Sequence, residues 1–291
     1  MSGTFSFFER ILLQAKGLPI KLQGIQQLSG GCIDQVVQLQ TNEGLFLLKW
    51  KDQLSDQFEA EGKGLKMLDA ANSLRIPSVI HTGDYQNCSY LLTEYIIPGS
   101  RKRMFWESFG AGLAEQHHQL SETSHYGLNH NNYIGSLPQS NIQNIDWTSF
   151  FIGERLEKQL TLAHHNGFVD KFLVNSFQNL YKLLPDLLSP EPSSLLHGDL
   201  WSGNFLVDES GNPVLIDPAV YYGNREIELA FTRLFGGFDS RFYNSYQEAW
   251  PLAAGFEERV DIYNLYPLLV HVNLFGTSYL TSIKNVLKRY S

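Results

Sequence analysis

Cysteine is scarce in this sequence: Cys32 and Cys88 are the only two among 291 residues. Two cysteines cannot form the disulfide framework of a small secreted protein, and this favours a cytoplasmic location. No apolar run approaches the roughly 18 residues that a membrane-spanning helix needs. The first residues carry Glu9 and Arg10 and lack a sustained apolar segment, so we expect no signal peptide.

Basic side chains are also in the minority, with 22 Lys and Arg against 30 Asp and Glu and a formal net charge of −8. This balance offers no electrostatic surface to nucleic acid, so any phosphate site must be local. Hydrophobic residues at 43% and charged residues at 18% are typical of a folded globular protein. The composition therefore predicts neither a nucleic-acid nor a membrane partner, and the length leaves room for two lobes.

The stretch LLHGDLWSGN, which ends at Asn204, is the most informative part of the chain. It predicts a short buried segment and a polar loop, and a β-hairpin follows with strands over 204–208 and 213–217. If the turn is centred between Ser210 and Gly211, Asn204 lies directly opposite Asp217, where Cβ atoms are about 5 Å apart. Two oxygen-bearing side chains then converge at one end of the hairpin.

Asp199 lies on the loop that leads into this hairpin. Two carboxylates and an amide are the kind of ligand that Mg²⁺ prefers when it bridges phosphates. Taken singly, an Asp or Asn at the end of a strand is more often turn chemistry. The three together, directly after His197 and Gly198, indicate a site that handles phosphate.

The pattern H-G-D-x-x-x-x-N…D resembles the catalytic segment of protein kinases. Gly198 replaces the Arg of protein kinases, and Asp217-Pro218-Ala219 replaces their Asp-Phe-Gly. Both changes are typical of small-molecule kinases. Together with IDPAVYYGNREIELA and LFGGF, the run HGDLWSGN is similar to the fructosamine/ketosamine-3-kinase family, which shares its fold with the aminoglycoside phosphotransferases.

This resemblance implies an α+β, bilobal, protein-kinase-like fold. Its N-terminal nucleotide-binding lobe, a small antiparallel sheet with one helix, covers residues 1–97, and a mostly helical lobe for catalysis and substrate binding covers 98–291. The resemblance also implies ATP and Mg²⁺ as cofactors. Asp199 then accepts the proton of the acceptor hydroxyl, and Asn204 and Asp217 hold Mg²⁺. Trp201 offers a flat ring to a sugar, although simple packing explains this residue equally well.

Lys49 ends the apolar strand LFLLKW, where a lysine commonly reaches solvent. The predicted helix over 57–71 places Glu61 on the same stripe as Phe58 and Leu65. A carboxylate on a buried stripe is costly unless it is paired, and Lys49 is the obvious partner. By resemblance, Lys49 and Glu61 hold the α- and β-phosphates of ATP.

Gly30 and Gly31 lie in a turn between two predicted strands, where backbone N–H groups can approach phosphate oxygens. A plain β-turn is the more frequent meaning of such a pair. Cys32 follows them, and the resembling family suggests redox control there through a disulfide-linked homodimer. The alternative is a monomer in which Cys32 is a small buried hydrophobe.

The linker after the apolar strand 90–96 presents backbone groups to adenine in kinase-like folds. This implies nucleotide contacts from Glu94, Tyr95 and Ile96. An ordinary edge strand followed by a linker fits the same residues.

Helical periodicity predicts further helices over 5–16, 105–120, 147–162, 168–184 and 226–235, helical structure over 259–290, and a long loop over 126–144. The expected core residues of the third and fourth of these helices are Leu156, Leu160, Phe172, Phe177 and Leu180. Arg225, Glu226 and Glu228 are expected to support the catalytic loop structurally. The adjacent His117 and His118 diverge by about 100° on a helix and cannot share a metal ion.

The resulting hypothesis is a kinase that phosphorylates the 3-hydroxyl of a ketosamine, free or protein-bound, in protein deglycation repair. The enzyme alternative is another kinase of this fold, acting on an aminoglycoside, choline or a thiosugar. A nucleotide-binding pseudokinase scaffold is the alternative outside enzymes. The joint presence of Lys49, Glu61, Asp199, Asn204 and Asp217 argues against a pseudokinase.

Overall fold

The computed structural model describes residues 2–28 and 35–290. It contains two compact units, Met1–Lys102 with Leu206–Asp217, and Arg103–Phe205 with Pro218–Ser291. The strands are β1 Leu22–Gln27, β2 Gln35–Thr41, β3 Gly44–Lys51, β4 Val79–Tyr85, β5 Cys88–Glu94, β6 Asn132–Ile134, β7 Leu137–Gln139, β8 Ser194–Leu196, β9 Phe205–Val207, β10 Pro213–Leu215 and β11 Tyr221–Gly223.

The α-helices are α1 Ser2–Lys16, α2 Gln57–Ala70, α3 Phe105–His117, α4 Trp147–Phe150, α5 Lys158–His165, α6 Lys171–Leu187, α7 Arg225–Leu234, α8 Ser240–Ala249, α9 Phe256–Tyr263, α10 Leu265–Phe275 and α11 Leu280–Leu287. A π-helical segment, Phe151–Glu157, joins α4 to α5, and short 3₁₀ turns cover Thr277–Tyr279 and Lys288–Tyr290. Within the described part of the chain, no helix is both long and apolar enough to cross a membrane.

The first unit is built on a five-stranded sheet in the order β1-β2-β3-β5-β4, with every neighbouring pair antiparallel. Side chains alternate between the two faces of a strand. Leu48 and Trp50 of β3 join the buried cluster that α1 covers through Ile11 and Leu12. Lys49 lies between them in sequence and therefore points to the opposite face.

Helix α2 packs against β4 and β5, and Gly62 permits the close approach. A Cβ at this position would lie 2.6 Å from Thr82 Cγ2, which is too short for a real contact. This glycine sits next to Glu61, so the same close packing brings the Glu61 carboxylate to the sheet.

The segment Leu206–Asp217 belongs to the first unit although it is distant in sequence. Gly99 N–H donates to Val207 O at 2.9 Å, and Leu215 N–H donates to Arg75 O at 3.0 Å. The Asp208 carboxylate accepts from Arg75 Nη1 at 2.8 Å. Burial acts to raise the pKa of Asp208, but the N–H groups of Asn212 and Ser210 and the Arg75 guanidinium lower it below its usual value. The predicted boundary between residues 97 and 98 remains a prediction. The first compact unit extends to Lys102 and also includes Leu206–Asp217.

The core of the second unit lies between the helix running from Trp147 to His165, helix α6 and helices α9 to α11. Leu156, Leu160, Phe177 and Leu180 are buried in it, as expected. Phe172 is not, since 79% of it is exposed, and its assignment to the core was wrong. Helix α6 begins at Lys171 behind the Asp170 cap, and its apolar stripe is Leu173, Phe177, Leu180, Tyr181 and Leu184. Phe172, one residue before that stripe, faces solvent.

The predicted loop over 126–144 contains the hairpin of β6 and β7, which the sequence did not reveal because each strand has only three residues. Three of its amides are buried and bond to one another: Asn132 Oδ1 accepts from Gln139 Nε2 at 2.8 Å and from Asn141 Nδ2 at 2.8 Å. Asn132 Nδ2 in turn donates to Val220 O at 2.7 Å. The polar composition thus serves an internal hydrogen-bond network.

Candidate active site

The loop that carries Asp199 starts at the end of a buried strand. Strand β8 is fully buried and pairs antiparallel with β11, placing Leu196 opposite Tyr221. At Gly198 the backbone turns with φ +83°, and a Cβ there would lie 2.0 Å from Ala219 O. No other residue fits this position, which accounts for Gly where protein kinases have Arg.

Asp199 and Asn204 are held together at the two ends of this loop. Asn204 Nδ2 donates to Asp199 O at 2.8 Å and to Asp199 Oδ2 at 3.0 Å. Because both partners are acceptors, the NH₂ group of the amide must face them, and Oδ1 remains as a ligand atom. The side chain of Asn204 is buried, whereas Asp199 is partly exposed.

Glu228 of α7 fixes the backbone just before Asp199. Its Oε1 accepts from Gly198 N at 2.7 Å, and its Oε2 accepts from His197 N at 3.2 Å. Burial acts to raise the pKa of this carboxyl, but hydrogen bonding to His117, the nearby histidines and Gly198 N–H bring it below its usual value. Glu228 therefore supports the loop directly, as the sequence predicts.

Arg225 and Glu226 act on the surroundings of the loop. Arg225 donates to Glu191 at 2.9 Å and to the carbonyl oxygens of Trp250 and Pro251 at 2.8 and 2.7 Å. Glu226 forms a buried ion pair with Arg259 through bonds of 2.6 and 2.7 Å. Both residues hold α7 against its neighbours.

Trp201 lies at the surface of the second unit, partly exposed. Its ring packs edge-on against the Phe235 ring, with 6.1 Å between centroids. The centroid of the Phe235 ring lies 4.7 Å from that of the His271 ring. A Cβ on Gly203 would lie 2.4 Å from the indole, so the glycine leaves room for this ring. Trp201 is packed on one side and open on another, and its role as a sugar platform remains a prediction.

In the first unit the structure brings Lys49, Glu61 and Asp217 together. Lys49 Nζ lies 2.7 Å from Glu61 Oε1 and also bonds Asp217 Oδ1. Burial acts to lower the pKa of Lys49, but the charges of Asp217 and Glu61 and their hydrogen bonds raise it well above its usual value, so the amine is protonated. The expected Lys–Glu pair is present, and its phosphate-binding role stays a prediction.

Asp217 has a strained backbone. Its φ is +56°, in the left-handed region that non-glycine residues rarely adopt, and Pro218 follows it. Its side chain is 45% exposed, compared with 13% for Lys49 and 12% for Glu61. Strain of this kind is concentrated at functional sites.

The predicted adenine-contacting residues lie at the end of β5. Glu94 N donates to Ser78 O at 3.0 Å and Tyr95 N donates to Leu45 O at 3.4 Å, while Ile96 is buried. Gly30, Gly31 and Cys32 lie outside the described residues. Cys88, the cysteine that lies within the described residues, is buried and not in a disulfide.

Across residues 2–28 and 35–290, no three His, Cys, Asp or Glu side chains converge as a metal cluster. The Asn204 amide of the second unit and the Asp217 carboxylate of the first unit each offer oxygen atoms of the kind that Mg²⁺ takes as ligands beside substrate phosphates and water.

Comparison with known proteins identifies the chain's relatives. Residues 5–291 match the family model described as fructosamine kinase. The chain belongs to the fructosamine kinase family. A probable ketoamine kinase of Lactiplantibacillus plantarum is 38% identical, over 92% of this chain and 95% of that protein. A chloroplastic protein-ribulosamine 3-kinase of Oryza sativa subsp. indica is 37% identical, over 94% of this chain and 81% of that protein.

Solved structures agree with the fructosamine kinase assignment. A putative fructosamine-3-kinase from Haemophilus somnus superposes with a TM-score of 0.87 at 27% identity, covering 98% of this chain and 97% of that one. Aminoglycoside phosphotransferase APH(4)-Ia, in a ternary complex with AMP-PNP and hygromycin B, gives a TM-score of 0.66 at 16% identity, covering 96% and 97% of the two chains, and shows the fold alone. The predicted family and the kinase-like, bilobal α+β fold are confirmed.

Proposed function

We propose that this protein transfers the γ-phosphoryl group of ATP to the 3-hydroxyl of a ketosamine, including ketosamines attached to proteins. The observation that carries the proposal is Asp199, which Asn204 holds at its side chain and Glu228 holds through the loop backbone. Family membership supports the substrate class, because relatives are named ketoamine kinase and protein-ribulosamine 3-kinase.

Asp199 orients the 3-hydroxyl and accepts its proton. The hydroxyl oxygen forms a bond to the γ-phosphorus while the bond from that phosphorus to the bridging oxygen of ADP breaks. Because such a reaction requires little covalent help, the protein contributes chiefly by positioning and by neutralising charge. Asn204 prevents rotation of the Asp199 carboxylate, since it bonds one oxygen of that group.

Lys49 supplies positive charge to the α- and β-phosphates. The pair with Glu61 keeps its amine in place, and the raised pKa keeps it protonated at neutral pH. Asn204 Oδ1 and the exposed Asp217 carboxylate would hold Mg²⁺. When bound, Mg²⁺ neutralises phosphate charge. Glu94, Tyr95 and Ile96 would contact the adenine, and Gly30 and Gly31 the phosphates.

Trp201 would bind the sugar ring, because it lies two residues from Asp199 and keeps part of its surface open. A phosphate on the 3-hydroxyl makes the ketosamine labile, so the product releases the free amine. The protein would therefore serve deglycation repair, and we place this activity in the cytoplasm.

The test is a panel of acceptors incubated with ATP: a ribulosamine, a fructosamine, a glycated peptide, kanamycin and choline. We expect mass spectrometry to show a phosphorylated ketosamine and then the free amine. Asp199→Asn keeps the shape of the side chain and removes the base, so turnover should fall about 10²-fold or more. Phosphorylation of kanamycin or choline alone would favour the other small-molecule kinases, and ATP binding without any transfer would favour a scaffold.

A further inference from the structure

His117, at the end of α3, is a buried polar residue that the reaction described above does not use. It is completely buried, and both ring nitrogens are engaged. Nε2 lies 2.8 Å from Glu228 Oε2, and Nδ1 lies 2.8 Å from the Tyr246 hydroxyl. A histidine held at both nitrogens has one orientation only.

His117 is connected to the catalytic loop through the Glu228 carboxylate. One oxygen accepts from Gly198 N at 2.7 Å, and the other accepts from His197 N at 3.2 Å. Any rotation of the carboxylate would lengthen both bonds. His117 bonds the second oxygen, so it prevents that rotation and gives the buried carboxylate a further hydrogen-bond donor.

The partners on its other side decide which ring nitrogen donates. Arg225 Nη1 lies 3.3 Å from the Tyr246 oxygen and donates to it. The Tyr246 hydrogen is then free to bond Nδ1, and Nε2 carries the hydrogen that Glu228 accepts. Arg225 is itself fixed by Glu191 at 2.9 Å. The chain of bonds therefore runs from Glu191 to the loop.

We propose that His117 is a positioning residue for phosphoryl transfer: it fixes Glu228, which holds the His197–Gly198 backbone and so aims Asp199. The inference rests on the proposed function. The ring nitrogens of His117 bond Glu228 and Tyr246, and Asp199 N donates to His197 Nδ1 at 3.3 Å, which links the fixed backbone to the base.

Two substitutions of His117 separate its two bonds. The amide nitrogen of Gln lies at the ε position and can still donate to Glu228, whereas the amide of Asn ends at the δ position and reaches only Tyr246. We expect His117→Asn to lower kcat about 10- to 100-fold, the effect of losing a buried hydrogen bond to a charged group. KM for ATP and for the ketosamine should change less than about twofold, because the substrate contacts remain. His117→Gln should retain kcat within about threefold of the wild type.

His118→Asn is the matched control. His118 is the next residue, is exposed, stacks on Trp250 at 4.0 Å and bonds Ala114 O, away from the loop. Its substitution should leave kcat unchanged. Equal losses in His117→Asn and His117→Gln, or wild-type kcat in His117→Asn, would overturn the proposal. An inactive wild type would instead count against the proposed function.

Coupling to Glu228 distinguishes positioning from general stabilisation. Glu228→Gln should itself lower kcat, and in that background His117→Asn should add less than about a twofold loss. Full additivity would contradict the proposal. If His117→Asn does not fold, His117→Ala replaces it, because it also removes the N–H that bonds Glu228 and adds no bulk. That variant should lower kcat by itself but add less than about a twofold loss beside Glu228→Gln, and an unchanged kcat in the single variant would overturn the inference.

Discussion

Single residues decide the shape of the catalytic loop, and Gly198 is the clearest example. Its φ is +83°, and a Cβ at this position would lie only 2.0 Å from Ala219 O. Gly167 has a similar φ of +74° with nothing within 4 Å of such a Cβ. Substitutions at the two glycines therefore distinguish the free-energy cost of backbone strain from that of a steric clash.

We expect Gly167→Ala to lower the free energy of unfolding by about 1 kcal/mol, the usual cost of an alanine in the left-handed region. Gly198→Ala should lower it further and abolish turnover, because the loop must move to admit the methyl group. Chemical denaturation and kinetics on the two variants measure both effects. Similar losses of stability, with activity kept in both, would show that the contact with Ala219 is unimportant.

The metal role of Asp217 is also a question about one residue. Asp217→Ala leaves the Lys49–Glu61 pair intact and removes the exposed carboxylate. Mg·ATP at 100 times its Kd should stabilise the wild type by about 2.7 kcal/mol, and this gain should disappear in the variant. Thermal melts with and without Mg·ATP measure it, and the exposed Asp186→Ala serves as control. Full stabilisation of Asp217→Ala would count against a metal ligand at this position.

At the scale of elements, the docking of α2 on the sheet positions Glu61 beside Lys49. Gly62 makes that docking possible, because its Cβ would meet Thr82 at 2.6 Å and Leu91 at 3.7 Å. Gly62→Ala should push α2 outward, weaken the Lys49–Glu61 pair and raise KM for ATP about tenfold, the size of one lost charged hydrogen bond. Gly153→Ala, which meets nothing within 4 Å, should leave KM unchanged. An unaltered KM for ATP in Gly62→Ala would show that α2 can shift without loss.

At the scale of the whole molecule, paired carboxylates make stability depend on pH. The pKa values of Asp208 and Glu228 are lowered in the folded protein. Their stabilisation is therefore complete above the pKa of the unfolded chain, near 4, and is lost as the pH falls through the folded values. The stabilisation from these two carboxylates should be constant near neutral pH and decline below about pH 4.

Asp208→Asn tests this dependence. The substitution should reduce stability at pH 7, because Arg75 loses the nearest of its three carboxylate partners. Below about pH 4 it should also reduce the slope of the free energy of unfolding against pH, by up to about 1.4 kcal/mol per pH unit, the largest contribution of one proton. Unfolding measured from pH 3 to 7 provides both values, with Asp186→Asn as control. An unchanged acid slope would mean that Asp208 does not drive acid unfolding.

Local sequence determined much of this protein. The runs HGDLWSGN, IDPAVYYGNREIELA and LFGGF carry the resemblance to the family, and helical periodicity placed Glu61 on the face that meets Lys49. These features depend on residues close in sequence or on a regular repeat, and both are visible in a single chain.

Tertiary structure decided the supports of the site. His117 and Glu228 are separated by 111 residues and Arg75 and Asp208 by 133, and no local pattern pairs them. The amides around the β6–β7 hairpin were expected in a loop, and the folded structure shows that they are buried and bonded to one another. Phe172 was expected in the core, but it lies one residue before the apolar stripe of α6 and faces solvent. Hydrogen bonds between distant segments form only after the chain is packed, so composition and periodicity carry no record of them.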